Sequence, residues 1–159
     1  MALFIKFDGV DGEAKDKDHK SWSDLLSMSW GVHKAGGGAP GAARRRGVAT
    51  VDDVVITKEL DKASPKLAEA VLSGKVFPKV EIHNTATYGE GRATFLKYEL
   101  KNVAVTSHNI SAAGGGDAVP HEGMSLNFEE VKKTYVEYDE KGNKKGNVEM
   151  SWKVEEGAK

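Results

Sequence analysis

Cysteine is absent from the 159 residues. That excludes disulfides, thiolate metal ligands and a thiol nucleophile. No run of apolar residues approaches the roughly 18 needed to span a bilayer as a helix. The start, Met-Ala-Leu-Phe-Ile-Lys-Phe-Asp, has no basic region followed by a long apolar stretch and so does not read as a signal peptide. The expectation is a chain made and folded in the cytoplasm, leaving the cell, if it leaves, by a route that reads no N-terminal signal. Charge of one sign is also lacking. There are 23 basic and 24 acidic residues and a formal net charge of -1, which calls for neither nucleic acid nor an anionic membrane as partner.

What is present is a soluble profile, 39% hydrophobic and 30% charged, at a length that suits one domain over residues 1–159. The dominant period is two, which predicts strands. Leu3, Ile5 and Phe7 alternate with Phe4, Lys6 and Asp8, and a polar connection follows over 9–20. A strand is expected over 22–32, with Leu26, Met28, Trp30 and Val32 on one face and Ser23, Ser27, Ser29 and Gly31 on the other. A second is expected over 48–60. Later strands are expected over 79–87, 94–107 and 123–138. The last alternates most cleanly, with Val148, Met150, Trp152 and Val154 predicted inward and Glu149, Ser151, Lys153 and Glu155 outward.

One helix is predicted. Ser64 is its expected cap, Pro65 its first helical residue, Leu67, Ala70 and Val71 its apolar stripe, and Gly74 its stop. About eight strands and one helix bury their apolar faces either by closing into a barrel or by packing as two sheets. The connection over 34–47 carries Gly36, Gly37 and Gly38, then Arg44, Arg45 and Arg46. It is too long and glycine-rich for a tight turn, and long loops in small domains are often functional.

Catalytic and metal-binding patterns do not emerge. The histidines, His19, His33, His83, His108 and His121, show no metal-ligand spacing and read as solvated or singly hydrogen-bonded. Asp8, Asp11, Glu13, Asp16 and Asp18 lack the alternate-position spacing of a calcium loop and read as a solvated turn. The glycine run is followed by neither Lys-Ser nor Lys-Thr, so it is not a phosphate cradle, and there is no Gly-x-Ser-x-Gly elbow. Trp22, Trp30 and Trp152 sit in apolar strand patterns and read as core or subunit-interface residues. The residues alone thus lead to an all-β binding or assembly module. A monomeric binding barrel, or a hydrolase using His83 or His121 with a nearby acid, stands as an alternative.

Several segments taken in order resemble the Hcp family of type VI secretion proteins. They are Phe4-Ile5-Lys6-Phe7-Asp8-Gly9-Val10-Asp11-Gly12-Glu13, then Asp16-Lys17-Asp18-His19-Lys20, then Ser27-Met28-Ser29-Trp30-Gly31. Ile56-Thr57-Lys58-Glu59-Leu60-Asp61-Lys62-Ala63-Ser64-Pro65-Lys66-Leu67 follows, then Ser125-Leu126-Asn127-Phe128 with Tyr135, and finally Trp152. The sequence departs from the pattern at Ala14, Met28 and Ser151 and in its more basic Arg44–Arg46 loop. The resemblance implies a mainly β fold, a small closed barrel of two β-sheets with one flanking helix like that of phage tail tubes, that forms a hexameric ring, needs no cofactor and catalyses nothing. It further implies rings stacked into a hollow tube, a spike trimer at the tip, a contractile sheath outside, effectors carried and protected inside, and secretion of the tube. Two site expectations follow. Ser27 and Ser29 face the lumen and contact effectors, and the loop with Gly36, Gly37, Gly38, Arg44, Arg45 and Arg46 makes the ring-stacking contact.

Overall fold

The computed structural model describes residues 1–34 and 49–155. All six of the predicted stacking-loop residues lie outside the described residues. Within them are eleven strands and one helix. Five short strands come first or flank the loop: β1 (Ala2–Phe7), β2 (Ser23–Leu25), β3 (Ser27–Ser29), β4 (Val32–Lys34) and β5 (Ala49–Val51). Then come β6 (Val54–Glu59), α1 (Ser64–Ser73), β7 (Val76–Tyr88), β8 (Gly91–Ser111), β9 (His121–Asn127), β10 (Glu130–Tyr138) and β11 (Lys144–Lys153).

The 21-residue β8 organises the sheet. β7 lies along one of its edges, from Gly91 opposite Tyr88 to Ala104 opposite Val76. The other edge is shared. β10 takes residues Leu96 to Lys101, and β9 takes Ala104 to Ser111. The hand-over falls at Asn102, whose φ of 52° is left-handed, a conformation asparagine tolerates better than most residues. Its side-chain amide donates to Glu129 Oε2 at 2.8 Å, tying the bend to the start of β10.

The strand path runs β2-β1-β7-β8-β9-β6-β3, antiparallel throughout, with β10 and β11 as a branch and β4-β5 as a separate ribbon. Its two ends are consecutive in the chain. The 23–29 stretch pairs with β1 through β2 and with β6 through β3, and the Leu26 amide donates to the Thr57 carbonyl at 2.8 Å between them. The path therefore returns on itself, as the resemblance implied. The change of partner shifts the alternation by one residue. Ser23 and Leu25 are buried while Leu26 is 49% exposed, so the uninterrupted 22–32 strand, with Leu26 inward and Ser23 outward, is corrected. The 48–60 strand is likewise two strands, β5 and β6, interrupted at Asp52-Asp53.

The interior is apolar, with Val54, Ile56, Leu67, Phe77, Leu100 and Leu126 all at 0% exposure. It ends at a buried polar plug. Inward positions of β6 read Val54, Ile56, Lys58, and those of β9 read Leu126, Met124, Glu122. Lys58 and Glu122 are register partners, and both side chains are fully buried. Lys58 Nζ is ion-paired with Glu122 Oε1 and donates to Asp61 Oδ1 at 2.8 Å and the Glu59 carbonyl at 2.9 Å. Glu122 Oε1 also accepts from Ser64 Oγ at 2.8 Å, and Glu122 Oε2 meets His108 Nε2 at 2.8 Å. Ser23 Oγ donates to Asp61 Oδ2 at 2.8 Å. A buried charge is tolerable only when paired and hydrogen-bonded, and here each one is.

This plug explains the Lys58-x-x-Asp61-x-x-Ser64 spacing: the three side chains join the strand end to the helix start. It also corrects the reading of Ser64. Ala63 occupies the cap position without a side-chain hydrogen bond, and Ser64 is the first helical residue. Its hydroxyl turns back to accept from the Asp61 amide at 3.0 Å and to reach Glu122. Gly74 ends the helix in the left-handed conformation (φ 71°) that glycine adopts without strain.

Candidate assembly and cargo surface

Antiparallel partners share a face of a sheet, so register alone assembles the outer surface of the β3–β6–β9–β8 half of the barrel. One row crosses it as Ser29, Val55, Ser125, Ser107, and the next as Ser27, Thr57, Gly123, Asn109. Ser27, Ser29, Ser107 and Asn109 are exposed, and the others except Val55 are half-buried. Ser27 and Thr57 hydroxyls hydrogen-bond at 2.5 Å. At Gly123 a Cβ would come within 2.8 Å of Asn109 Oδ1, so glycine there lets the amide lie across the sheet. The two rows carry no formal charge, and Val55, 43% exposed, is their one apolar side chain.

Ser27 and Ser29 therefore lie on one small, hydroxyl-rich, uncharged surface, which can hydrogen-bond to many partners and grip none strongly. Sequence reasoning found these two and missed Thr57, Ser107, Asn109, Gly123 and Ser125. A groove of about 590 Å³ continues from Ser29 past Gly31, Asp52, Asp53 and Val55. Asp53 accepts from Asn127 Nδ2 at 2.9 Å and Thr106 Oγ1 at 3.3 Å, which anchors the rim.

A second surface has the opposite chemistry. Val131 opposite Trp152 belongs to the barrel's inner side, and the same side of the β10–β11 hairpin continues through Lys133 opposite Met150 and Tyr135 opposite Val148. This continuation is only partly covered, with Phe95 meeting Tyr135 edge-on. Val148 is 74% exposed, Tyr135 48% and Met150 40%. The prediction that Val148 and Met150 are inward residues is thus corrected: they face the core side, but the core stops at Trp152. Beside them the β4–β5 ribbon completes an apolar hollow of about 200 Å³ lined by Trp30, Val32, Val51, Met150 and Trp152 among others.

His33 and His121 are exposed, and His108 makes a single hydrogen bond, to Glu122 of the buried plug, as expected of the histidines. His19 departs from that reading, for it is buried and bonds to both Asp16 and His83. Among the described residues no three His, Asp or Glu side chains form a metal-holding group, and no helix is long and apolar enough to cross a membrane.

Comparison with known proteins follows the same lines. Residues 4–135 match the family model described as the type VI secretion system effector Hcp. Protein hcp1 of Pseudomonas aeruginosa is 34% identical over 153 residues, spanning 96% of this chain and 94% of the relative. A solved structure of a type six secretion system protein superposes with a TM-score of 0.91 at 32% identity, covering 98% of this chain and 97% of the other. Hcp1 from Salmonella typhimurium superposes with a TM-score of 0.79 at 25% identity, over 99% and 97% of the two chains. The family model over residues 4–135 and the 34% identical relative, on a fold that superposes with solved Hcp structures, show that the chain belongs to the Hcp family of the type VI secretion system.

Proposed function

We propose that this chain is the tube subunit of a type VI secretion system, one domain that closes with five further copies into a ring whose inner wall carries effectors. The observation that carries this reading is the exposed inner-type face of β10–β11. Val148, Met150 and Tyr135 lie on the same side of the hairpin as the core pair Val131 and Trp152 and yet face solvent. An apolar face continuous with a core is the usual mark of a protein interface. A closed ring of identical subunits presses such a patch against a different patch on the next copy.

The rows around Ser27 and Ser29 supply the lumen wall. Cargo must be held and released as the tube moves, which suits many weak hydroxyl contacts better than charges or broad apolar area. The ring chaperones its effectors, stacks into a hollow tube, bears a spike trimer at its tip and is driven outward by a contractile sheath. The mechanical work is done by the sheath, so the subunit requires no nucleotide or other cofactor and catalyses nothing. It waits in the bacterial cytoplasm and is secreted on firing, with no role for nucleic acid or membrane as partner.

Ser29→Arg tests the lumen assignment. It is expected to leave ring formation intact and to reduce effector co-purification at least tenfold, about 1.4 kcal/mol. Unchanged retention in intact rings would remove Ser29 from the cargo surface. Stacking is assigned to the loop with Gly36, Gly37, Gly38, Arg44, Arg45 and Arg46, whose compact positive charge suits a carboxylate-bearing surface of the next ring. Deleting residues 36–46 is expected to preserve single rings and shift tubes to rings in electron micrographs. Tubes of normal length from that deletion would defeat the assignment.

A further inference from the structure

Apart from the Lys58–Glu122 plug, a tightly built group of titratable side chains sits on the outer side of β1 and β7. Phe4 is not part of the interior cluster, yet it is only 2% exposed, because the 10–22 segment folds back over it. His19 of that segment stacks on Phe4 with ring centroids 4.4 Å apart and planes 8° from parallel. Trp22 meets the His19 ring edge-on at 4.8 Å and the His83 ring at 4.5 Å.

The polar contacts form a chain. His19 Nδ1 lies 2.7 Å from Asp16 Oδ2, His19 Nε2 lies 2.9 Å from His83 Nδ1, and His83 Nε2 lies 3.4 Å from Glu81 Oε2. From β8, Arg92 Nη1 holds the other oxygen of Asp16 at 3.0 Å. Lys97, also on β8, adds positive charge facing His83, and Glu99 of β8, Lys132 of β10 and Lys144 of β11 line the same hollow.

Counting hydrogens shows what this chain tolerates. A carboxylate only accepts, so the contact with Asp16 needs a hydrogen on His19 and the contact with Glu81 needs one on His83. The contact between the rings needs one more, on either nitrogen. Three ring hydrogens therefore satisfy all three contacts. A fourth would set two N–H groups against each other at the 2.9 Å junction and two positive rings side by side in a half-dry site.

We propose that the His19–His83 contact is an acid-operated latch, which fastens the 10–22 segment to β1 and β7 until the fourth ring proton arrives and releases it. The energetics agree with the geometry. Burial first, then the charge of His19 and of Lys97, hold the His83 imidazole down at about 4 against the opposing pull of Glu81. Once the segment lifts, that ring returns to the ordinary histidine value near 6.5. The released form thus takes up a proton that the latched form refuses. The contribution of His83 to closure is fully present above about pH 6.5 and is lost as the pH falls toward about 4.

Hydrogen exchange of the 12–22 amides, corrected for the intrinsic rate at each pH, reads the latch directly. Between about pH 7 and pH 4.5 the unaltered protein is expected to lose protection there about tenfold or more, with β7 and β8 amides unmoved. His83→Gln, which keeps a polar partner but takes no proton, is expected to abolish that pH dependence. Constant protection in the unaltered protein, or the same loss in His83→Gln, overturns the proposal. Should His83→Gln fail to fold, an imidazole NMR titration of the unaltered protein decides. Titration near 4 in step with shifts of the 12–22 resonances supports the latch, and titration near 6.5 without such shifts overturns it.

Discussion

Glu122→Ala is expected to lower the unfolding free energy of the subunit by about 3–5 kcal/mol, more than any surface change. The substitution leaves Lys58, fully buried, with Asp61 as its sole remaining carboxylate, and strips Ser64 Oγ and His108 Nε2 of their acceptor. An uncompensated buried ammonium is the costly part. The control is the double variant Lys58→Met with Glu122→Leu, which removes both charges and keeps the volume. It is expected to regain most of the loss, because apolar replacement of a whole buried ion pair is often neutral or better. Equilibrium urea unfolding at one fixed protein concentration, so that assembly does not shift the baseline, makes the comparison. A Glu122→Ala variant within 1 kcal/mol of the parent would mean that the plug contributes little.

Val148→Lys combined with Met150→Lys is expected to abolish rings while leaving the isolated subunit folded. Both side chains are exposed in the subunit, so the change should move its stability by no more than about 0.5 kcal/mol. In an assembled ring the same positions would lose the transfer energy of two apolar side chains, about 1.5–3 kcal/mol each for full burial, and would place ammonium groups in an apolar contact. A weakening of at least a hundredfold per contact follows, about 3 kcal/mol. Sedimentation velocity would then find single subunits at micromolar concentration where the parent forms rings. Rings of unchanged stability would place the lateral contact elsewhere.

The contrast between these two sites tells what could be read in the sequence. Alternation predicts strands over 48–60 and 123–138, but it does not single out Lys58, and Glu122 falls one residue before the second. Only the register that sets them opposite each other makes a buried ion pair of the two. Alternation also assigned Val148 and Met150 to the side of Trp152 correctly. It could not say that the interior ends there, because where a core stops is set by the reach of other elements. The reversal at Leu26 was beyond any local pattern, since it arises where one stretch changes partner from β1 to β6 to complete the barrel.

The hydroxyl-rich surface around Ser27 and Ser29 shows the same limit. Ser27 and Ser29 stood out as a short polar run beside Trp30. Ser107, Asn109 and Ser125, on strands far away in the chain, join them only through the pairings of β6, β9 and β8. The histidine pair was likewise hidden, for His19 and His83 are 64 residues apart and meet because the 10–22 segment doubles back over β1.

The central claim is that copies of this chain close laterally upon themselves through faces left bare in the single subunit. Sedimentation velocity of the purified protein across a wide concentration range, with negative-stain images of the same samples, tests it most directly. The account predicts a species of about six times the subunit mass, seen end-on as an annulus with a central hole. A lone subunit persisting at the highest concentration, with no annulus in any field, would contradict it.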